Sequence, residues 1–395
     1  MTGTNQHIGD GIDDDLGEVR RRLTALTEQL VLFRSTDSEP SERRRCLDFI
    51  RAALAGCPGT VFREFESGGY ESLLITTEGC DEPDVLMCGH VDVIEHPAPD
   101  AYRPTLENGR IIGPGAGDMK GAVAIMIEVF RRACCRDLRP SLGMLLTTDE
   151  EKGGEHGVGY LFGRAGLRCG VALVPDGGGL NRMVVKEKGI LHLRVSAHGK
   201  SGHAARPWLG DNAVEKLMGA LARLRTHFKE ELGSTEVGPH GEHWVPSCTV
   251  SMISTPNITV NRIPSTAHAA LDIRFPPPFN VEGMLAAIHS ILGNEIEIEV
   301  MVRSEPAEFD PDDDYLHITE EVTGEAVELE GSDGASDARF LSASGIHAII
   351  TQPTIGNSHR IDEWIDVDSM VQLFVIYERF IENRGANRLP GSDTP

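Results

Sequence analysis

The chain is short of positive charge. Its 395 residues carry 37 Lys and Arg against 61 Asp and Glu, a net charge of −24. Phosphate backbones are held by clustered basic residues, so no nucleic-acid partner is expected. No apolar run approaches the roughly 20 residues that span a bilayer, so no membrane partner is expected either. The first sixteen residues lack the basic-then-apolar order of a signal peptide, and the expected location is cytoplasmic. The eight cysteines include no Cys-x-x-Cys pair. That removes the usual structural zinc site and leaves buried free thiols in a reducing compartment. Internal repeats and low-complexity tracts are also missing.

The composition that remains is that of a globular protein, 40% hydrophobic and 25% charged. The length is more than one ordinary core accommodates, which implies two domains. Residues 1–15 read as disordered, 16–33 as a helix, and Pro40-Ser41 as the opening of a second helix with Ser41 as its N-cap. Ser72–Thr76 and Val85–Gly89 read as strands. A Pro- and Gly-rich loop runs over 97–117, and a helix over 120–134. Leu142–Thr147 and Gly170–Val174 are further apolar strands. Near Val184 the pattern becomes strand–helix–strand–strand–helix–strand, that of a small inserted α+β domain. Pro276-Pro-Pro278 is a rigid turn inside it. The expected boundaries are 1–186 and 302–395 for the first domain and 187–301 for the insertion.

Polar residues cluster just past the strand ends of the first domain: His90 and Asp92, Asp118 after the loop, Glu150 and Glu151, and Asp176. That is the carboxyl edge of an α/β sheet, where such folds place their sites. The pair in Thr148-Asp-Glu-Glu151 is the focus, because successive side chains diverge where a strand ends. One carboxylate is then free to bind a metal while its neighbour serves a water. Imidazole and carboxylate ligands without thiolates suit Zn²⁺, Mn²⁺ or Co²⁺. No Gly-x-Ser-x-Gly elbow surrounds Ser336-Asp337, so a serine nucleophile is not indicated.

Taken in order, the motifs Gly89-His-Val-Asp92, Gly117-Asp-Met-Lys-Gly121, Thr148-Asp-Glu-Glu151, Val174-Pro-Asp176, Gly202-His203, Asn261-Arg-Ile-Pro264, Gly334-Ala-Ser-Asp-Ala-Arg339 and His359-x-x-x-Glu363 resemble one family. It is the dinuclear-zinc peptidases and deacylases that include acetylornithine deacetylase, succinyl-diaminopimelate desuccinylase, carboxypeptidase G and several dipeptidases. The resemblance covers nearly the whole chain. It implies an α/β catalytic domain with a mixed, mostly parallel sheet flanked by helices. It also implies an inserted ferredoxin-like domain that dimerises and closes on substrate. Two divalent ions are implied, Zn first and Co or Mn as alternatives. Asp118 would bridge them, with His90 and Asp176 on one and Glu151 and His359 on the other. Glu150 would be the general base and then the acid, and Asp92 would orient His90. His203 would reach a neighbouring site across a homodimer and stabilise an oxyanion. Asn261 and Arg274 would contact a substrate carboxylate, and Ser336 begins a helix near the substrate.

The implied activity is removal of an acyl group from a small N-acyl amino acid. A dipeptidase or carboxypeptidase stays open, because Asp176 stands where the two deacylases usually carry Glu. A catalytically silent, amino-acid-binding relative is the third reading. An intact Glu150 and five intact ligands count against it.

Overall fold

The computed structural model describes residues 6–135, 141–232 and 244–386. The chain forms two compact units. One comprises Met1–Val185, Phe309–Glu330 and Ser336–Pro395; the other comprises Lys186–Glu308 and Gly331–Ala335. The second unit thus extends past residue 301 and takes in a short later strip. Among the described residues, no helix is long and apolar enough to cross a membrane.

The sheet of the first unit runs Thr60–Ser67, Tyr70–Thr77, Leu142–Thr147, Val85–His90, Val171–Val174, His347–Ile350, Arg182–Glu187. The four strands from Leu142–Thr147 to His347–Ile350 are parallel to one another, and their flanking partners are antiparallel. Both faces are covered. Leu73, Ile75, Met87, Met144, Leu146 and Leu173 join one large apolar cluster with helices Gly121–Cys134 and Val367–Ala386. Their neighbours Leu74, Leu86, Leu145 and Ala172 are equally buried on the opposite face. A parallel sheet buried on both sides requires such continuous apolar strands rather than alternating ones.

Several local expectations change. The first helix is Gln6–Val31, so it begins well inside the stretch expected to be disordered, and residues 1–5 lie outside the described part. The second helix is Pro40–Leu54, with Glu39 rather than Ser41 at its N-cap. Pro40 takes the first helical position, where its missing N–H costs nothing. The 97–117 loop contains two strands, Thr105–Glu107 and Arg110–Ile112. Asn108 (φ 51°) and Gly109 (φ 76°) make the turn between them, the Asn-Gly hairpin signal. These strands join Trp364–Asp366 and Ile355–Gly356 in a small separate sheet.

The second unit has the expected strand–helix–strand–strand–helix–strand order. Its antiparallel sheet runs Ser247–Ser254, Thr266–Phe275, Gly189–His198, Ile296–Ser304. Helices Ala213–Thr226 and Val281–Leu292 bury Leu217, Leu224, Met284 and Ile288 in one cluster with Leu193, Val195, Leu271 and Ile273. Ser247–Ser254 is an edge strand and is exposed along nearly its whole length.

Candidate metal centre

Parallel pairing brings the ligand-bearing strand ends level. Val85 pairs with both Leu142 and Val171, so the three strands finish side by side. His90 is the last residue of its strand, Glu150 and Glu151 form a single turn after theirs, and Asp176 follows two residues after Val174. Asp118 arrives differently. The chain leaves helical geometry at Asp118 (φ −122°, ψ 92°) and Met119, just before helix Gly121–Cys134. His359 sits in a turn with a left-handed backbone (φ 64°), a conformation rare for residues other than glycine.

The result is two groups of three, His90 with Glu150 and Asp176, and Asp118 with Glu151 and His359. In each group the candidate ligand atoms lie within 4.8 Å of one another. Asp118 stands between them. Its Oδ1 lies 3.2 Å from His90 Nε2 and its Oδ2 3.3 Å from His359 Nε2. Asp176 lies 3.9 Å from His90 Nε2, and Glu151 lies 3.4 Å from His359 Nε2. All five ligands expected from sequence therefore meet, and each carboxylate oxygen of Asp118 faces a different histidine.

His90 Nδ1 lies 3.0 Å from the main-chain carbonyl of Asp92. A carbonyl only accepts, so Nδ1 carries a hydrogen and Nε2 faces into the cluster. The Asp92 carboxylate is a little farther from Nδ1, at 3.5 Å, and its Oδ2 accepts the Glu151 N–H at 3.0 Å. Asp92 thus fixes His90 mainly through its backbone and also pins the Glu pair. The preceding residues are more than a turn. Thr148 donates to the Glu71 carbonyl, and the buried Asp149 carboxylate accepts the N–H groups of His156 and Gly157.

The electrostatics are those of an anionic cage. Burial would lower the His90 imidazole, yet Asp118 and Asp92 carry it well above its ordinary value. Asp118 and Glu151 raise His359 to about 10. Burial would raise Asp118, but the two imidazoles hold it below the usual carboxylate range. Burial, helped by Asp118, pushes Asp176 up to about 7. Glu150 is driven well above its usual range by burial, against the pull of His90. A divalent cation would displace the protons that this cage attracts. His90 Nε2 is buried and makes no well-aligned hydrogen bond, although Asp118 Oδ1 lies 3.2 Å away. An imidazole nitrogen facing hard oxygen donors in this way fits a divalent ion.

Two residues at the site carried no assigned role in the sequence reading. Glu363 is buried, and its Oε1 accepts the N–H groups of Gly117 (2.7 Å) and Asp118 (2.8 Å). His96 lies near His359 and Glu151, with its Nε2 buried and unpartnered. Ser336 is buried, and its hydroxyl accepts the Ala338 N–H at 3.3 Å just ahead of the helix Ala338–Ala343, whose N-cap is Asp337.

Residues 86–383 match the family described as peptidase family M20/M25/M40. The chain belongs to that family. It is accordingly a metal-dependent hydrolase of amide bonds that uses divalent ions. Among curated M20 relatives, succinyl-diaminopimelate desuccinylase of Parvibaculum lavamentivorans is 29% identical over 335 residues, 78% of this chain and 82% of that protein. The Burkholderia ambifaria desuccinylase is 29% identical over 384 residues, 91% of this chain and 98% of that protein. Solved structures share the fold. An M20 family metallo-carboxypeptidase of Sulfolobus solfataricus has a TM-score of 0.76 at 15% identity, covering 92% of this chain and 99% of its own. Human carnosine dipeptidase 1 has a TM-score of 0.73 at 15% identity, covering 94% and 98%.

The remaining expected M20 residues lie on the second unit. His203 and Asn261 are exposed neighbours: the Asn261 carbonyl accepts the Ala204 N–H, and His203 Nδ1 accepts that of Ala205. Arg274 is half-buried on the sheet, with Nε 2.7 Å and Nη2 3.3 Å from the two oxygens of Asp272. Its guanidinium fork is engaged within its own unit.

Proposed function

We propose that this protein removes an acyl group from a small N-acyl amino acid, in the manner of acetylornithine deacetylase and succinyl-diaminopimelate desuccinylase. Two zinc ions, or Co²⁺ or Mn²⁺, would be held by His90 and Asp176, by Glu151 and His359, and by Asp118 between them. The observation that carries this is Asp118, with one oxygen on each histidine, and the half-buried Glu150 grouped with His90 and Asp176. Bound there, the ions would polarise the scissile carbonyl and acidify a water. Glu150 would take a proton from that water as the water oxygen bonds to the acyl carbon, and would return it to the departing nitrogen, so the amide C–N bond breaks and a carboxylate and an amine leave. Its place among the candidate ligands suits both halves of that task. Asp92 keeps His90 in the productive tautomer. The near full-length similarity to desuccinylases supports the acyl-amino-acid reading and a place in amino-acid metabolism.

Asp176, in place of Glu, favours a second reading, a dipeptidase or carboxypeptidase. Both readings share a homodimer built on the second unit, with His203 serving the partner's site. The edge strand supports dimerisation: Met252 and Ile253 are 62% and 64% exposed on a strand with an unpaired edge. A panel of N-acetyl and N-succinyl amino acids and dipeptides, assayed with each metal, tests the proposal. Amine release from the acyl amino acids supports the first reading, and release from dipeptides alone supports the second. No release from any of them with any ion overturns both.

A further inference from the structure

The Asp118 loop and the His359 turn are far apart in sequence, yet one carboxylate joins them. Glu363 lies four residues beyond His359, and its side chain accepts the N–H of Asp118 itself and of Gly117. Its carbonyl accepts the Gly113 N–H at 2.8 Å, and its own N–H donates to the Arg360 carbonyl at 3.2 Å. One residue therefore grips the start of the Asp118 loop, the end of that loop, and the turn that carries His359. The next residues, Trp364–Asp366, pair with Arg110–Ile112, the strand leading into the same loop. The close approach is built into the sequence. A Cβ at Gly117 would stand 3.0 Å from Ile355 Cβ and 3.1 Å from the Trp364 carbonyl, so a larger residue would push the loop and this strand apart by a few tenths of an ångström.

The opposite pair of ligands has no such tie to Glu363. His90 and Asp176 sit at the ends of adjacent strands in the large sheet and are placed by its ladders. Asp118 and His359 sit on non-helical loop backbone, which must be held by something else.

We propose that Glu363 is a positioning residue that sets the separation of Asp118 and His359. The ion at Asp118, Glu151 and His359 then depends on it more than the ion at His90 and Asp176. This rests on the two-ion reading above. Reach matters more than charge: the oxygen must arrive at two N–H groups that a shorter side chain cannot touch.

The test is calorimetric titration of metal-free protein with Zn²⁺, comparing wild type with Glu363→Asp and Glu363→Gln. Gln keeps the length and the accepting oxygen; Asp keeps the charge and loses the reach. We expect Glu363→Asp to weaken one of the two ions by about 10–100-fold, the usual effect of losing a group that orients a ligand, while the other stays near wild type. Glu363→Gln should keep both within a few-fold. Arg110→Ala, which removes a guanidinium stacked 3.7 Å from the Trp364 ring, serves as a control for loosening the same small sheet. Melting of the metal-free proteins verifies that all are folded. Unchanged binding in Glu363→Asp, equal weakening of both ions, or the same loss in Arg110→Ala overturns the inference. A wild type that binds fewer than two ions overturns the two-ion reading first, and the inference with it.

Discussion

The main sheets of the two units use exposure in opposite ways. Val85–His90 and Leu142–Thr147 are buried at every residue, and each has strand neighbours on both sides. Ser247–Ser254 lies at an edge and leaves Met252 and Ile253 in solvent. A strand held on both sides can deliver a ligand to a fixed point, because its backbone has no freedom left. A strand open on one side is suited to receive another chain. On the proposed reading, chemistry belongs to the first arrangement and assembly to the second.

Four perturbations probe that division. Asp118→Ala removes the ligand proposed to be shared by both ions, and we expect less than one ion per chain by atomic absorption and activity at background. Two ions retained at full affinity would mean that Asp118 does not bridge. Chelation comes next. Ions that bind only the folded state stabilise it by about 2.7 kcal/mol at a hundredfold excess over Kd. Metal-free protein should therefore lose amide protection in Leu142–Thr147 and keep it in Thr266–Phe275. Equal loss in both strands would show that the units are not independent in this respect. Ile253→Lys places a charge on the open edge. Sedimentation should show a smaller species at micromolar concentration with ion content unchanged, whereas an unaltered mass would place the interface elsewhere. Arg110→Ala should have the smallest effect, about 0.5–1 kcal/mol for an exposed cation–π contact, read as a slight fall in melting temperature with turnover intact.

The site was legible wherever a ligand follows a buried apolar strand. His90, Glu150, Glu151 and Asp176 announce themselves because strand end and polar residue adjoin in sequence. The order of the second unit was legible for a similar reason, since Thr266–Phe275 alternates between buried and half-buried positions throughout. Glu363 stands in the motif His359-x-x-x-Glu363, but the motif does not disclose its task. Its partners are main-chain N–H groups 245 and 246 residues away, and a backbone contact leaves no mark on the partner's residue type. The strand Thr60–Ser67 was missed because it alternates between half-buried and exposed positions and carries Arg63, Glu64 and Glu66. The hairpin at Asn108-Gly109 was signalled in the sequence, but the surrounding prolines and glycines drew the reading toward loop. Arg274 is a substrate contact only by resemblance, and sequence alone could not reveal its pairing with Asp272.

The most direct test joins turnover and metal content in a single sample of Glu150→Gln. The loss of a general base costs roughly 10²–10⁴ in rate. We expect the variant to hold the same number of ions as wild type and to release amine at least about a hundredfold more slowly from whichever substrate the wild type cleaves. A variant with its ions in place and its turnover undiminished would contradict the account.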